Sequence, residues 1–143
     1  MSRVNWIRLI IGGMIASAIL FLTDGFFHER IAEPDWISLY TALGAKPPAE
    51  TPASLTYFAI YEVGRGFLAM ILYVLMRPSS KPGPKTAAIA GIIVWLAFSV
   101  TGPAQFIPLG FFSHALWVKV GAFHLVTSII AAIAGAAIYK ETK

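Results

Sequence analysis

The hydrophobic residues of this chain fall into four long stretches separated by short polar or proline-rich connections. A helix needs about 20 mostly apolar residues to cross a membrane. Residues 5–27, 55–76, 86–102 and 112–139 meet this requirement. We therefore predict an all-α integral membrane protein, a four-helix bundle that forms a single transmembrane domain over residues 1–143. The first stretch lacks the small-x-small site of a cleavable signal peptide, so we expect it to remain in the mature protein.

The connection between the first two stretches carries a shorter apolar repeat. Pro34 suits the first turn of a helix, and Gly44 is a natural end. Four apolar residues recur between them at helical spacing: Trp36, Leu39, Tyr40 and Leu43. We predict a short amphipathic helix that lies on the outer leaflet, with Trp36 and Tyr40 as interfacial anchors. The alternative is a helical cap that packs on the mouth of the bundle.

Composition supports a membrane protein and indicates its orientation. The chain is 57% hydrophobic and only 13% charged, whereas a soluble domain has about a quarter charged residues. Seven basic residues lie on one side of the predicted membrane: Arg3, Arg8, Arg77, Lys81, Lys85, Lys140 and Lys143. Only Arg30 and Lys46 lie on the other, so the positive-inside rule predicts that both termini are cytoplasmic. Because the net charge of +4 resides in these short segments, we expect no nucleic-acid partner.

Charged residues inside the predicted spans are the main candidates for function. Each costs about 2.5–3.5 kcal/mol near a helix centre, so each needs a partner or a purpose. Glu62 and Arg65 share one helix face at i, i+3 spacing, and His124 lies at comparable depth on the last span. With Tyr61 they form a predicted buried polar cluster in the outer half of the membrane. The cluster either fixes helix packing through mutual neutralisation or marks a functional site.

The outer ends of the first and last spans carry a second set of candidates. Asp24 and His28 are i, i+4 neighbours, a spacing that suits a metal with His114 or Glu29 as third ligand. A single such pair is a weak signal, and a di-iron site would need two Glu-x-x-His units. His28 and His114 could alternatively ligate a b-type haem, with Phe26 and neighbouring aromatic residues around it, or line a quinone site. The chain has no cysteine, which excludes thiolate chemistry and Cys-ligated metal sites.

Small residues recur on the predicted spans and favour close helix contacts. In lipid, helices associate through small residues that allow their backbones to approach closely. The small residues are Gly12 with Ala16, Ala87 with Gly91, Gly121, and Ala131 with Gly135. They pack helices within one chain or join two copies of it.

One segment carries a likeness to other proteins. The sequence MRPSSKPGPKTAAIAG at 76–91, followed by VWL at 94–96, resembles an uncharacterised family of small bacterial four-helix integral membrane proteins. The ends NWIR at 5–8 and AIYKE at 137–141 are similar to that family too. The resemblance implies a multi-pass protein of the bacterial inner membrane. Members often have a carboxylate at the position of His124, and the resemblance implies no particular activity, catalytic residue or cofactor.

These features favour a non-enzymatic function. No serine has a sequence context for activation and no phosphate-binding loop occurs. We predict an accessory subunit of a larger membrane complex or a homo-oligomer, whose partners are lipid and other membrane subunits or itself. The alternatives are a small-ligand, proton or ion pathway through Glu62, Arg65 and His124, and a redox protein that holds haem or quinone.

Overall fold

The computed structural model describes residues 4–46 and 51–140, and these residues form helices joined by turns, with no strand in either range. The helical segments are α1 (Trp6–Arg30), α2 (Glu33–Ala42), α3 (Pro52–Met76), α4 (Pro84–Trp95), a π-helical segment (Leu96–Thr101), α5 (Gly102–Ala104) and α6 (His114–Ala137). Arg3, Lys143 and Glu141, which contributed to the predicted orientation and to the resemblance, lie outside the described residues.

Within residues 4–46 and 51–140, four helical segments are long and apolar enough to cross a membrane: Trp6–Arg30, Pro52–Met76, Pro84–Ala104 and His114–Ala137. The prediction of an all-helical chain with four membrane-spanning segments is confirmed to this extent, with bounds that differ by a few residues. This architecture supports an integral, multi-pass membrane protein. The cytoplasmic placement of the termini stays a prediction.

Local sequence signals explain where the long helices begin. The Asn5 side chain accepts a hydrogen bond from the backbone N–H of Arg8 at the start of α1. Thr51 and Ser54 form a reciprocal capping box at the start of α3, and the Ser113 side chain caps α6. Each cap satisfies N–H groups that have no partner within the helix.

The four long segments pack in the order α1, α3, α4, α6 around the bundle, because α1 contacts α3 and α6 while α4 also contacts both. The first and last described parts of the chain meet at one end of this bundle. The backbone N–H of Asn5 donates to Tyr139 Oη at 3.2 Å, and Arg8 Nη1 donates to the carbonyl of Ile138 at 3.0 Å. We call this the terminal end of the bundle, and the opposite end, which carries α2, the α2 end.

The predicted small residues are used inside the bundle. Those singled out on the spans are all buried: Gly12, Ala16, Ala87, Gly91, Gly121, Ala131 and Gly135. A Cβ on Gly12 would lie 2.6 Å from the carbonyl oxygen of Gly135, and a Cβ on Gly91 would lie 2.5 Å from that of Ser128. Glycine is therefore required at these crossings, which join helices of one chain.

The helix of the third span has a wider, π-helical turn just before Pro103. A helical proline lacks the N–H for an i−4 bond and clashes with the carbonyl four residues earlier, here that of Ser99. The π-helical segment just before Pro103 relieves this conflict. Thr101 Oγ1 donates to the carbonyls of Leu96 and Ala97 at 3.0 and 2.9 Å. The span predicted from the sequence ends at residue 102, whereas the helical segment widens before that point and continues to Ala104. Ser99, inside the widened turn, is buried.

The short helix α2 packs on the α2 end of the bundle. Trp36 and Leu39 contact a core cluster that includes Phe27 and Leu116. Lys119 Nζ on α6 lies 2.6 Å from Asp35 Oδ2 on α2, in a pair that is partly exposed to solvent. These contacts attach α2 to the bundle. Its position on the outer leaflet and its alternative role as a cap on the mouth of the bundle both stay predictions.

Candidate functional site

Arg65 is the centre of a buried charged cluster that joins three helices. Its side chain is fully buried. Nη1 donates to Asp24 Oδ2 on α1 at 2.6 Å and to both carboxylate oxygens of Glu62, at 3.0 and 2.9 Å. Nη2 donates to Ser128 Oγ on α6 at 3.1 Å. Charge-assisted hydrogen bonds of this kind are stronger than neutral ones, so Arg65 holds α1, α3 and α6 together.

The cluster holds two carboxyl groups and one guanidinium. Asp24 and Glu62 are both buried, with 5% and 3% of their surface exposed, and both share one guanidinium. With both carboxylates ionised and a neutral His124, the cluster has one excess negative charge. An unpaired buried charge is costly, so the cluster favours a proton or another cation. A proton on one of the carboxyl groups or a bound cation would supply the balance; His124 Nε2 lies 3.1 Å from Asp24 Oδ2.

His124 connects the charged cluster to the widened turn of the third span. Ser99 Oγ lies 2.9 Å from His124 Nδ1, and the opposite ring nitrogen faces Asp24. We call these three side chains, in the order Ser99, His124, Asp24, the relay. Ser99 and His124 are joined by a hydrogen bond, whereas His124 Nε2 and Asp24 Oδ2 are close in space without a hydrogen bond between them.

Several polar atoms of the cluster have no hydrogen-bond partner within the described residues: Asp24 Oδ1, Arg65 Nε and His124 Nε2. The great majority of buried polar atoms are hydrogen-bonded, so exceptions call for an explanation. Asp24 and His124 both line a cavity. A group bound there could satisfy Asp24 Oδ1.

This cavity has a volume of about 500 Å³ and lies at the α2 end of the bundle. Its ionisable lining residues are Asp24, His28, Glu29, Glu33, Glu62 and His124. Its aromatic lining residues are Phe21, Trp36, Phe58 and Tyr61. Glu29 and Glu33 are exposed while Asp24 and Glu62 are buried, so we call the first pair the rim and the second pair the floor.

Trp36 closes one side of the cavity by joining α2 to the end of α1. Its Nε1 donates to His28 Nδ1 at 2.9 Å. Because Nδ1 is the acceptor, a neutral His28 carries its proton on Nε2. A second cavity of about 390 Å³ shares His28, Trp36 and His124 and extends to Ser99. Both cavities therefore reach the relay.

The structure brings together most of the residues predicted for the buried polar cluster. Glu62, Arg65 and His124 lie in one buried group. The Tyr61 ring centroid is 5.4 Å from Arg65 Cζ, while the tyrosine itself is 39% exposed. Asp24 also belongs to the cluster, because its carboxylate pairs with Arg65.

The residues predicted as haem or metal ligands are arranged differently. His114 is exposed and its ring lies beside Trp117, whereas His28 contacts Trp36 and lies 5.9 Å from His124 between ring centroids. Both cavities are lined by His28 and neither by His114. Across residues 4–46 and 51–140, no group of three or more His, Asp and Glu side chains is placed to hold a metal.

Sequence reasoning missed two contributors, Ser99 and Ser128, and it assigned Asp24 to a different site. The two serines have no pattern that distinguishes them from helix-packing residues. One feature of the sequence could have indicated the position of Asp24. Glu62 already matches the charge of Arg65, so a further acid within an apolar stretch requires an additional contact that neutralises it. Comparison with protein-family models, curated proteins and solved structures finds no match for this chain.

Proposed function

We propose that this chain is a membrane protein, with both termini in the cytoplasm of a bacterial cell, that binds a small ligand in the cavity at the α2 end. One observation carries the proposal. The cavity reaches a buried carboxylate, Asp24, whose Oδ1 has no hydrogen-bond partner in the described part of the chain. Ligand sites are typically cavities of about 300–1,000 Å³ with apolar walls and a few convergent polar groups.

A cluster that served only to fix helix packing would need matched charges and satisfied polar atoms. Here two floor carboxylates share one guanidinium, and both face a cavity of about 500 Å³. Two acidic groups that share one guanidinium at the floor of a cavity support the small-ligand, proton or ion alternative. The predictions of an accessory subunit and of a homo-oligomer depended in part on small residues that could join two chains. In the structure these small residues pack helices within a single chain, so they no longer argue for either prediction.

Ser99, His124 and Asp24 are the residue types of a serine hydrolase triad, so an enzyme is the second candidate. The ring nitrogens are exchanged, however: Ser99 contacts Nδ1 and Asp24 faces Nε2, whereas the serine of a triad contacts Nε2. Catalysis at Ser99 also requires donors for the oxyanion. Ser99 lies within the π-helical segment, whose backbone N–H groups bond inside the helix. We therefore assign Ser99 to orienting the His124 ring and not to catalysis. A fluorophosphonate probe tests this: covalent labelling of the wild type that is lost in Ser99→Ala would establish the enzyme instead.

A pair of glycine variants tests the binding proposal. Gly25 lines the cavity, and a Cβ built on it meets nothing within 4 Å, so Gly25→Leu has room to start its side chain and should fill part of the cavity. Gly64 is also helical and equally open, but it lines neither cavity, which makes Gly64→Leu the matched control. Thermal unfolding of the purified protein is measured with a panel of cationic, neutral and anionic lipophilic compounds.

We expect at least one compound to raise the unfolding temperature of the wild type and of Gly64→Leu but not of Gly25→Leu, because a ligand stabilises only the protein that binds it. A panel in which no compound separates the two leucine variants would overturn the proposal.

A further inference from the structure

The charge of the cavity lining indicates which ligands it selects. Four carboxylates line the cavity and, in the described part of the chain, no lysine or arginine does. Arg65 lies beneath the floor with its side chain fully buried. We propose that the ligand is a lipophilic organic cation, an ammonium or phosphonium centre that carries apolar groups. This inference rests on the proposed binding function and names its ligand class.

The floor of the cavity supplies a place for the cationic centre. Asp24 and Glu62 share one guanidinium, so when both are ionised they carry one more negative charge than Arg65 neutralises. Asp24 Oδ1 is also buried without a hydrogen-bond partner in the described residues. In a low-dielectric site, such excess negative charge attracts a cation strongly. A cation near Asp24 would neutralise the excess charge, whereas an anion would add to it.

The walls of the cavity suit the apolar part of such a ligand. Trp36, Phe58 and Tyr61 line it together with aliphatic side chains. Aromatic faces attract cations through their quadrupole and provide apolar contact at the same time. A bare metal ion fits less well, because the described residues contain no group of three metal-ligating side chains.

The rim carboxylates offer a way to test the charge requirement without disturbing the core. Glu29 and Glu33 are exposed, so Glu29→Gln and Glu33→Gln each remove one charge near the entrance while the buried cluster stays intact. Asp35 is on the same helix as Glu33 but lines neither cavity. Asp35→Asn removes the same charge from outside the cavity and serves as the matched control.

The probe is radiolabelled tetraphenylphosphonium, and tetraphenylborate is its counterpart of similar shape and opposite charge. Binding is measured by equilibrium dialysis against micelles without protein. We expect the wild type to bind the phosphonium and not the borate. Each rim variant should weaken binding about threefold to fivefold, and the double variant roughly tenfold or more, since exposed charge pairs contribute up to about that ratio. Asp35→Asn should bind as the wild type does.

A second experiment distinguishes a free organic cation from the ammonium headgroup of a lipid. Addition of phosphatidylethanolamine to the micelles should leave phosphonium binding unchanged if the natural ligand is a free organic cation. Competition by this lipid would instead assign the cavity to an ammonium headgroup, which is the same chemistry in another molecule.

Three results would overturn the ligand class: no phosphonium binding above the micelle background, equal binding by Gly25→Leu, or rim variants that bind as tightly as the wild type. Borate or a neutral compound that binds the wild type and not Gly25→Leu would refute the cation while leaving the cavity function in place. If no compound of any charge distinguishes Gly25→Leu from Gly64→Leu, both proposals fail.

Discussion

Replacement of Arg65 is the most direct perturbation of the buried cluster. Arg65→Met keeps an unbranched side chain of similar shape and removes the guanidinium. The change breaks the contacts to Asp24 at 2.6 Å and to Glu62 at 2.9 Å, both at side chains that are at most 7% exposed. It leaves two buried carboxylates close together with no cation apart from a protonated His124.

Removal of one partner from a buried ion pair costs about 3–5 kcal/mol, because the remaining charge is buried without compensation. We therefore expect Arg65→Met to lower the free energy of unfolding by about 3–5 kcal/mol. Removal of all the charges has a different effect, since replacement of a whole buried ionic group is often neutral. The triple variant Asp24→Asn, Glu62→Gln, Arg65→Met should recover to within roughly 1–2 kcal/mol of the wild type.

Unfolding by sodium dodecyl sulfate in mixed micelles, followed by tryptophan fluorescence and circular dichroism, measures these free energies. The matched control is Lys119→Met. It also removes a cation from an ion pair of 2.6 Å, but the two side chains are 41% and 36% exposed, so the cost should stay below about 1 kcal/mol. The reasoning is refuted if the triple variant is as unstable as Arg65→Met, or if Arg65→Met costs no more than Lys119→Met.

Three further predictions address the packing, the α2 cap and the orientation. Gly12→Ala should destabilise the protein by about 1–3 kcal/mol in the same unfolding assay, because its Cβ would lie 2.6 Å from a facing backbone carbonyl; Gly64→Ala, which meets nothing within 4 Å, should be neutral or slightly stabilising. Trp36→Phe removes the 2.9 Å hydrogen bond to the histidine at the end of α1 and should cost about 0.5–1.5 kcal/mol; an unchanged unfolding free energy would mean that α2 is held by apolar contacts alone. In a chain without cysteine, an impermeant thiol reagent applied to intact cells should label Lys46→Cys and not Ser79→Cys, and the reverse pattern would invert the predicted topology.

The four spans could be predicted from the sequence because a membrane-spanning helix is defined by the length and polarity of its own segment. A helix that crosses lipid must satisfy its backbone internally and present apolar side chains along its length. Both properties depend only on the residues within each segment. The pairing of Glu62 with Arg65 has the same origin, since i, i+3 neighbours on one helix meet whatever surrounds them.

The position of Asp24 in the cluster could not be predicted in this way, because it depends on which faces of α1 and α3 meet. That choice is made by close approach at small residues such as Gly66, whose Cβ would lie 2.5 Å from the backbone nitrogen of Ser17. The same i, i+4 spacing of Asp24 and His28 suits a metal site and also an aspartate that faces the bundle. Ser99 depends in addition on the widened turn before Pro103, which rotates the residues of that segment relative to a regular α-helix.

Because three helices contribute to the cluster, its residues enter the membrane one after another during synthesis. A membrane-embedded charge costs most when it enters lipid alone. Arg65 is made on the same helix as Glu62, so the arginine arrives with its counter-ion three residues away. Asp24 precedes it on α1 and lies only six residues before the helix ends at Arg30, near enough to the surface to stay hydrated until α3 is inserted. Ser128 comes last, with α6. Each charged residue of the cluster therefore enters the membrane either with its counter-ion or close to water. The order of the helices along the chain suits stepwise insertion.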